Sequence, residues 1–302
     1  MELKMIKKYT LILVLFIFCS IQLLAQDDLV ALLDEVAPVT VQPVKATFKS
    51  GRVINLHTNE RVAAGNLELR ISHRFGRLNG GAYQLWGLDQ STIRIGLDYG
   101  LSDRLNVGIG RSSYKKYYDG FVKYAFTEQK SNNSMPVSVV GISSMAVSTL
   151  KFADPTRDNL FSSRMTFVNQ LVIARKFSDQ LSLELVPGWV HYNLVATAED
   201  QNDIPVISAG GRMKVSKRVS INAEYSYRVK TKTNAANLND FTNSLSVGVD
   251  IETGGHVFQF QLTNSLPMLE TGFLTETTDQ WKKGGIHLGF NITREFVLKH
   301  KK

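Results

Sequence analysis

The sequence contains residue types that could do chemistry, but their spacing does not assemble an active site. A catalytic serine needs a base within hydrogen-bond reach and a third group that orients the base. The stretch GISSM at 141–145 lacks the second glycine of a nucleophile elbow. Five of the six histidines are scattered one per segment, at His57, His73, His191, His256 and His287. We therefore expect no catalytic residue and no enzyme activity, and we expect these histidines to form hydrogen bonds in the interior or at its rim.

Cofactor and metal patterns are equally incomplete. Gly108 and Gly110 resemble the start of a dinucleotide fingerprint, but Ser113 replaces its third glycine and no helix follows. The acidic turn Glu199, Asp200 and Asp203 offers the oxygen ligands that calcium prefers, although its spacing matches no known calcium loop. We expect a solvated acidic turn there, no metal site and no cofactor.

A different set of charged residues is recognised by its place on the polar face of alternating segments, and not by a sequence motif. Each member falls on the polar side of a segment in which polar and apolar residues alternate. Because a charged side chain is costly toward lipid, these residues should face a lumen. They are Glu68, Arg70, Arg74, Arg94, Asp98, Glu184, Arg212, Lys214, Glu224, Arg228 and Asp250. Two interpretations stay open: a mixed-charge constriction that selects polar solutes, or an ion-paired interior that simply fills a barrel.

The elements that must position these charges are β-hairpins. In 92–110, one alternating run carries Ile93, Ile95 and Leu97 on one face and Arg94 and Asp98 on the other, and a second run follows after a tight turn. Similar units recur and give about 12 strands. Tight turns follow strands two, six, eight and ten, whereas we expect long connections after every odd-numbered strand, with 115–119 as a charged aromatic loop.

This asymmetry between the two ends is typical of an outer-membrane barrel, with short turns in the periplasm and long loops outside. The sequence therefore predicts an all-β protein, an antiparallel transmembrane β-barrel of about 12 strands over residues 64–302. We expect its outward face to be apolar and its inward face polar. Such a barrel lies between small barrels that side chains fill and large ones that leave a channel.

The N-terminus predicts export. Lys4, Lys7 and Lys8 precede an apolar run at 9–25, which is shorter than a spanning helix requires. We expect a signal peptide over 1–25 that is cleaved after Ala25. The only cysteine, Cys19, lies within it. Cleavage of the signal peptide leaves 277 of the 302 residues. It lowers the net charge from +8 to about +6, because three lysines and one glutamate are lost.

Residues 26–63 form a second predicted unit, which is either periplasmic or a plug. A helical apolar stripe predicts a short helix at 26–37, and an extended linker follows. The stretch 48–62 is too apolar for a solvated tether and too charged for a lipid-facing strand. We expect it to plug the lumen, with Phe48, Arg52 and Arg61 as its contact residues. The ion-pair partners that we predict for the two arginines are Glu68, Asp98 or Glu184.

Three stretches carry a family resemblance: FKSGRVINLHTNERV at 48–62, LRISHRFG at 69–76 and GLDQSTIRIGLDYGLSDRLNVGIGRSSYKKYYDGFVKYAF at 87–126. Together they resemble a family of membrane-bound β-barrel proteins of unknown function from Gram-negative outer membranes. The resemblance implies a fold and a location, and it supplies no activity, catalytic residue or ligand. One departure is that Phe296 in the last strand is followed by VLKHKK, whereas many such barrels end on an aromatic residue.

Function is therefore argued from architecture. The first hypothesis is a narrow, porin-like pore or a binding and transport module for small polar solutes. The alternative is a structural scaffold that anchors a periplasmic protein partner through 26–62, and a third, weaker hypothesis is an outer-membrane enzyme. The basic charge and the absence of a nucleic-acid motif favour outer-membrane lipid and lipopolysaccharide as partners rather than nucleic acid.

Overall fold

The strands close on themselves. In the computed structural model, which describes residues 41–152, 154–195, 197–198, 200–229 and 241–298, twelve antiparallel strands form a closed barrel in which the last strand pairs with the first. The predicted fold class is thus confirmed. The strands are β1 (Asn66–Arg77), β2 (Ser91–Gly100), β3 (Leu105–Ser112), β4 (Tyr117–Thr127), β5 (Ser138–Ser148), β6 (Met165–Lys176), β7 (Leu181–Tyr192), β8 (Asp203–Lys214), β9 (Val219–Arg228), β10 (Ser244–Thr253), β11 (His256–Thr263) and β12 (His287–Val297).

The hairpin of β2 and β3 shows why these segments become strands. Ile93, Ile95 and Leu97 are exposed on the outer surface, whereas Arg94 and Asp98 are buried inside. The register places Gly108 opposite Asp98, and Gly110 opposite Gly96. Because successive strand residues point to opposite faces, one register satisfies both lipid and lumen.

The two ends of the barrel differ in their connections. Residues 101–104, 177–180, 215–218 and 254–255 form tight turns at one end, which we call the short-turn end. The opposite, long-loop end carries the connections 78–90, 149–164 and 264–286, among others. The chain enters β1 at the short-turn end.

One connection contradicts the predicted pattern. We expected a long connection after β3, with 115–119 in a loop, but β4 already begins at Tyr117 and only 113–116 separate the two strands. The prediction was wrong because charged and aromatic residues in this stretch look like a loop. In the barrel, Asp119 is buried on the inner face, where Arg94 offsets its charge.

The inner face is not polar throughout, which corrects a second expectation. The wall made by β5 to β8 turns a row of valines inward, namely Val140, Val168, Val172, Val186, Val190 and Val206, all of them buried. The remaining strands turn mainly polar and charged residues inward. The apolar wall is stable inside a barrel because other apolar residues of the chain pack against it.

Among the residues that the structure describes, helical structure is confined to short segments at the long-loop end. The α-helix α1 spans Glu270–Thr275, and short 3₁₀ segments occur at Leu78–Gly80, Ala82–Gly87, Tyr114–Lys116, Phe161–Arg164 and Trp281–Lys283. Among the described residues, no helix is both long enough and apolar enough to cross a membrane. The predicted helix at 26–37 lies outside the described residues.

A lysine on the outer face tests which surface meets lipid. Ile95→Lys places a charge at the middle of β2, where we expect a loss of about 2–4 kcal/mol in the free energy of unfolding. The matched control Leu101→Lys lies at the short-turn end and should cost only about 0–1 kcal/mol. Urea titration of the protein folded into lipid vesicles measures both values. Equal losses would contradict the assignment of this face to lipid.

Candidate functional site

A segment from the N-terminal side of β1 lies inside the barrel. Residues 43–65, which we call the inserted segment, enter from the short-turn end and turn back within the lumen. The turn is closed by Val53 N donating to Leu56 O at 2.8 Å and by Thr58 N donating to Gly51 O at 3.0 Å. Phe48 is buried together with this turn.

The tip of the inserted segment is held by one carboxylate. Glu224 of β9 accepts hydrogen bonds from three successive backbone N–H groups, those of Ile54 at 3.1 Å, Asn55 at 2.9 Å and Leu56 at 2.9 Å. The Asn55 side chain donates to the same carboxylate at 2.8 Å. Successive N–H groups that converge on an anion form a nest, and such charge-assisted bonds are stronger than neutral ones.

Polar residues of the neighbouring strands bind the remaining groups of the tip. Arg74 Nη2 donates to Asn55 Oδ1 at 2.8 Å, and Asn291 Nδ2 donates to Ile54 O at 3.1 Å. Gln259 Nε2 donates to Val53 O. The polar wall therefore provides a complementary partner for nearly every polar group that the tip presents.

The base of the inserted segment is bound closer to the short-turn end. Arg212 Nη1 donates to the carbonyls of Ala46 and Thr47, both at 3.2 Å. Lys123 Nζ donates to Glu60 O, and Lys49 forms an ion pair with Glu252. Backbone contact with the barrel is sparse. It includes Val44 N donating to Gln129 O of the β4–β5 connection at 2.7 Å and Gly65 N donating to Gly100 O of β2 at 2.8 Å.

A second segment fills the lumen from the opposite end. Residues 264–277, which we call the lid segment, leave β11 and carry α1. Every residue of α1 is buried, and Phe273 and Leu274 join the same apolar cluster as Phe48 and Leu56. The apolar wall of β5 to β8 is therefore covered jointly by the two segments.

The two segments meet at a buried junction of Arg52, His57 and Glu270. Arg52 forms an ion pair with Glu270, and His57 Nε2 lies 2.9 Å from Glu270 Oε1. Burial alone would raise the pKa of the Glu270 carboxyl, but the Arg52 guanidinium, with His57 beside it, holds that pKa well below its usual range. Burial and the Arg52 charge lower the pKa of His57 well below its usual value. The junction thus contains one ion pair with the His57 imidazole beside it.

Of the eleven residues that we predicted to face the lumen, Lys214 at the end of β8 is only partly buried, and Arg228 is 8% exposed. The other nine lie on inner faces and are at most 9% exposed. They are Glu68, Arg70, Arg74, Arg94, Asp98, Glu184, Arg212, Glu224 and Asp250. Several have partners on the barrel itself: Arg94 Nε lies 3.0 Å from Asp119 Oδ1, and Arg70 Nη2 lies 3.1 Å from Glu68 Oε1. Both Glu184 oxygens lack a hydrogen-bond partner among the described residues. Their role in selecting solutes remains a prediction.

The ion-pair partners that we predicted for the inserted segment were wrong. Arg52 pairs with Glu270 of the lid segment, and Arg61 pairs with Glu128 at the short-turn end. Arg61 lies where the segment leaves the lumen, which places it near the connection between β4 and β5. Glu270 lies close to Arg52 because the lid segment enters the barrel. Alternation within the strands gives no information about the position of that segment.

Three residues of this arrangement were absent from the sequence-based set. Lys123 and Asp119 alternate with the outward residues of β4, so the spacing of that strand contained the signal. Glu270 lies in a connection without strand periodicity. No local pattern could have identified it.

The acidic turn and the glycine pair, which resembled a calcium loop and a dinucleotide motif, make contacts within the protein itself. Asp203 Oδ1 lies 2.9 Å from His191 Nδ1, while Asp200 Oδ2 accepts a hydrogen bond from Thr197 N at 2.9 Å. Glu199 lies outside the described residues. Within the part of the chain that the structure describes, no group of three acidic, histidine or cysteine side chains could hold a metal ion. Gly110 faces inward, where a Cβ atom would overlap the Arg94 guanidinium.

Closed strand pairing, an apolar outer surface and a filled interior that carries the charged residues define a membrane-bound β-barrel. The model of the membrane bound beta barrel domain family (DUF5777) matches residues 48–296, and the chain belongs to this family. The matched region covers most of the inserted segment as well as the strands. No curated protein matches the sequence.

Solved structures of two porins and of an outer-membrane protein align with the chain at low sequence identity. The NanC porin has a TM-score of 0.47 and 8% identity, covering 76% of this chain and 98% of that one. The KdgM porin in complex with disordered oligogalacturonate has a TM-score of 0.47 and 8% identity, covering 76% of this chain and 99% of that one. Omp33 of Acinetobacter baumannii has a TM-score of 0.38 and 8% identity, covering 78% of this chain and 100% of that one.

The Glu224 carboxylate can be tested through the order of the tip. Glu224→Gln removes the charge that the three backbone N–H groups share, and we expect the tip to lose about 1.5–3 kcal/mol of binding within the lumen. Trypsin should then cut after Arg52 or Arg61 several-fold faster in the folded protein.

The matched control is Glu252→Gln, which alters a half-exposed ion pair with the same segment and should change the cleavage rate little. Equal cleavage rates in the Glu224→Gln variant and the unmodified protein would contradict the anchoring role of Glu224.

Proposed function

We propose that the protein is a pore-like barrel for small polar solutes whose lumen is held closed by the inserted segment and the lid segment. Opening requires at least one of the two to move. The observation that carries this proposal is that the twelve strands of the described residues pair with one another all the way round, so the barrel is complete without either segment.

The way the inserted segment is bound supports its removal as a unit. Its tip is attached to the strands through side chains such as Glu224, Arg74 and Asn291, rather than through a continuous backbone ladder. Breaking these bonds leaves every strand pair intact. The charged wall exposed by departure of the segment can then be hydrated, which favours passage of polar solutes over apolar ones.

The junction gives the closed state its stability. Arg52 and Glu270 have side chains that are 6% and 5% exposed, so separating them would leave two charges in a dry interior unless water follows. Breaking a buried pair by removing one partner costs about 3–5 kcal/mol. Because the two residues come from segments that enter at opposite ends, one ion pair connects the closure of both ends.

A charge reversal tests this connection. Arg52→Glu places two carboxylates at the junction, and their repulsion should displace a segment and raise the frequency of open-channel events in planar lipid bilayers by tenfold or more. Adding Glu270→Arg restores an opposite-charge pair with reversed polarity, so the double variant should return toward the closed behaviour.

A variant with altered folding is recognised by its migration on gels before and after heating, which distinguishes folded barrels. The control Lys49→Glu reverses a charge of the same segment whose partner, Glu252, is 44% exposed, and it should affect opening much less. Silent bilayers for the folded Arg52→Glu protein would refute a closed pore and favour a scaffold.

We further propose that the barrel lies in the outer membrane, with its short-turn end in the periplasm. The alternation of tight turns and longer connections supports this orientation, as does the expected cleaved signal peptide at 1–25, which lies outside the described residues. Lipid and lipopolysaccharide would contact the apolar outer face. A periplasmic partner would reach the residues that precede the inserted segment.

Cysteine labelling tests the orientation. Asp158 and Asp179 are exposed at the long-loop and short-turn ends, respectively, and no cysteine remains after residue 19. A membrane-impermeant maleimide should label Asp158→Cys in intact cells, and it should label Asp179→Cys only after the outer membrane is permeabilised. The reverse pattern would overturn the proposed orientation.

A further inference from the structure

A cavity lies between the lid segment and the barrel wall at the long-loop end. Its volume is about 330 Å³, and we call it the lid cavity. Thr275 and Glu276 line it at the lid segment, and Tyr117, Tyr192 and Arg228 line it on the inner wall. Tyr192 Oη lies 2.6 Å from Thr275 Oγ1, so wall and lid are in direct contact beside the cavity.

Arg228 is an unusual group in this position. The residue is only 8% exposed, and its Nε and Nη1 have no hydrogen-bond partner among the described residues. Its guanidinium carbon lies 5.2 Å from the centre of the Phe241 ring, which lines the same cavity. Leaving buried donors unpaired is costly, so an acceptor bound in the cavity that pairs with these atoms is stabilised.

An unpaired acceptor lines the same cavity. Asp200 Oδ2 accepts hydrogen bonds from Thr197 N at 2.9 Å and Thr197 Oγ1 at 3.0 Å, but the buried Oδ1 has no hydrogen-bond partner among the described residues. The lid cavity thus presents a cationic donor and an anionic acceptor together. An occupant must satisfy both.

The other charges of the cavity already have partners. Lys115 Nζ lies 2.8 Å from Glu276 Oε2. Arg164 Nη1 donates to Ser148 O at 2.9 Å and also to Leu150 O. Because these groups are occupied, Arg228 and Asp200 are the charged residues that select the ligand. Their opposite charges cancel, which favours a ligand without net charge.

We infer that the lid cavity binds a neutral polyhydroxylated solute of the size of a monosaccharide. Each hydroxyl both accepts and donates a hydrogen bond, so neighbouring hydroxyls can accept from Arg228 and donate to Asp200. A small anion would satisfy Arg228 but be repelled by Asp200, and an apolar molecule would satisfy neither. The rings of Tyr117, Tyr192 and Phe241 offer apolar surface for the carbon-bound hydrogens of a sugar. This inference rests on the proposed function in that the solute must be one that reaches the lumen.

Binding is measured by equilibrium dialysis of the folded protein in detergent against radiolabelled glucose, galactose or glucuronate. We expect saturable binding of at least one neutral sugar. Arg228→Gln and Asp200→Asn should each weaken it by about tenfold or more, since each removes a hydrogen bond to a charged group in a buried site. Arg157→Gln, a change at an exposed long-loop arginine outside the lid cavity, should leave affinity unchanged.

Several outcomes would overturn the inference: no binding of either neutral sugar, equal affinity in both variants and the unmodified protein, or binding confined to glucuronate and strengthened by Asp200→Asn. Migration before and after heating shows whether each variant is folded, and Arg228→Lys provides a second variant that retains the charge and should bind with intermediate affinity. The assay does not require an open channel. Sugar binding with silent bilayers would therefore reject the pore and retain the site.

Discussion

The structure depends on one constraint: a charge turned into a membrane barrel must find its partner inside. Lipid excludes charge from the outer face, and a narrow lumen offers little bulk water. Some inward charges are satisfied within the strands, as Arg94 is by Asp119. Glu224 forms no ion pair with another described residue, and it receives the backbone N–H groups of the inserted segment. The charge of the wall and the shape of the inserted segment are therefore complementary parts of one network.

The division of the lumen into a polar and an apolar wall follows the same logic. The inserted segment turns its polar backbone toward Glu224 and Asn291, and it turns Phe48 and Leu56 toward the valines of β5 to β8. The lid segment contributes Phe273 to the same apolar cluster. Burial of apolar surface stabilises both segments without direction, while the hydrogen bonds fix their position. The two segments therefore occupy one defined position in the lumen, although neither is part of the strand pairing that closes the barrel.

Alternation made the barrel readable from the sequence. With a period of two, the positions of Ile95 and Arg94 fix opposite faces, and one such assignment determines a whole strand. Where charged and aromatic residues interrupt the alternation, as before Asp119, the local pattern predicts a loop although β4 already begins at Tyr117. The same alternation predicts that Lys123 faces the lumen, because its neighbours Val122 and Tyr124 face outward.

The sequence by itself determined the closed antiparallel barrel, its two unlike ends and the inward charges, because each of these follows from local periodicity and turn spacing. Only the tertiary structure decided which groups meet in the lumen. Arg52 and Glu270 are more than 200 positions apart, and the second lies in a connection with no repeating pattern. Their pairing depends on two segments entering one enclosed space from opposite ends. Closure of the barrel creates that space, so no local stretch of sequence encodes the contact.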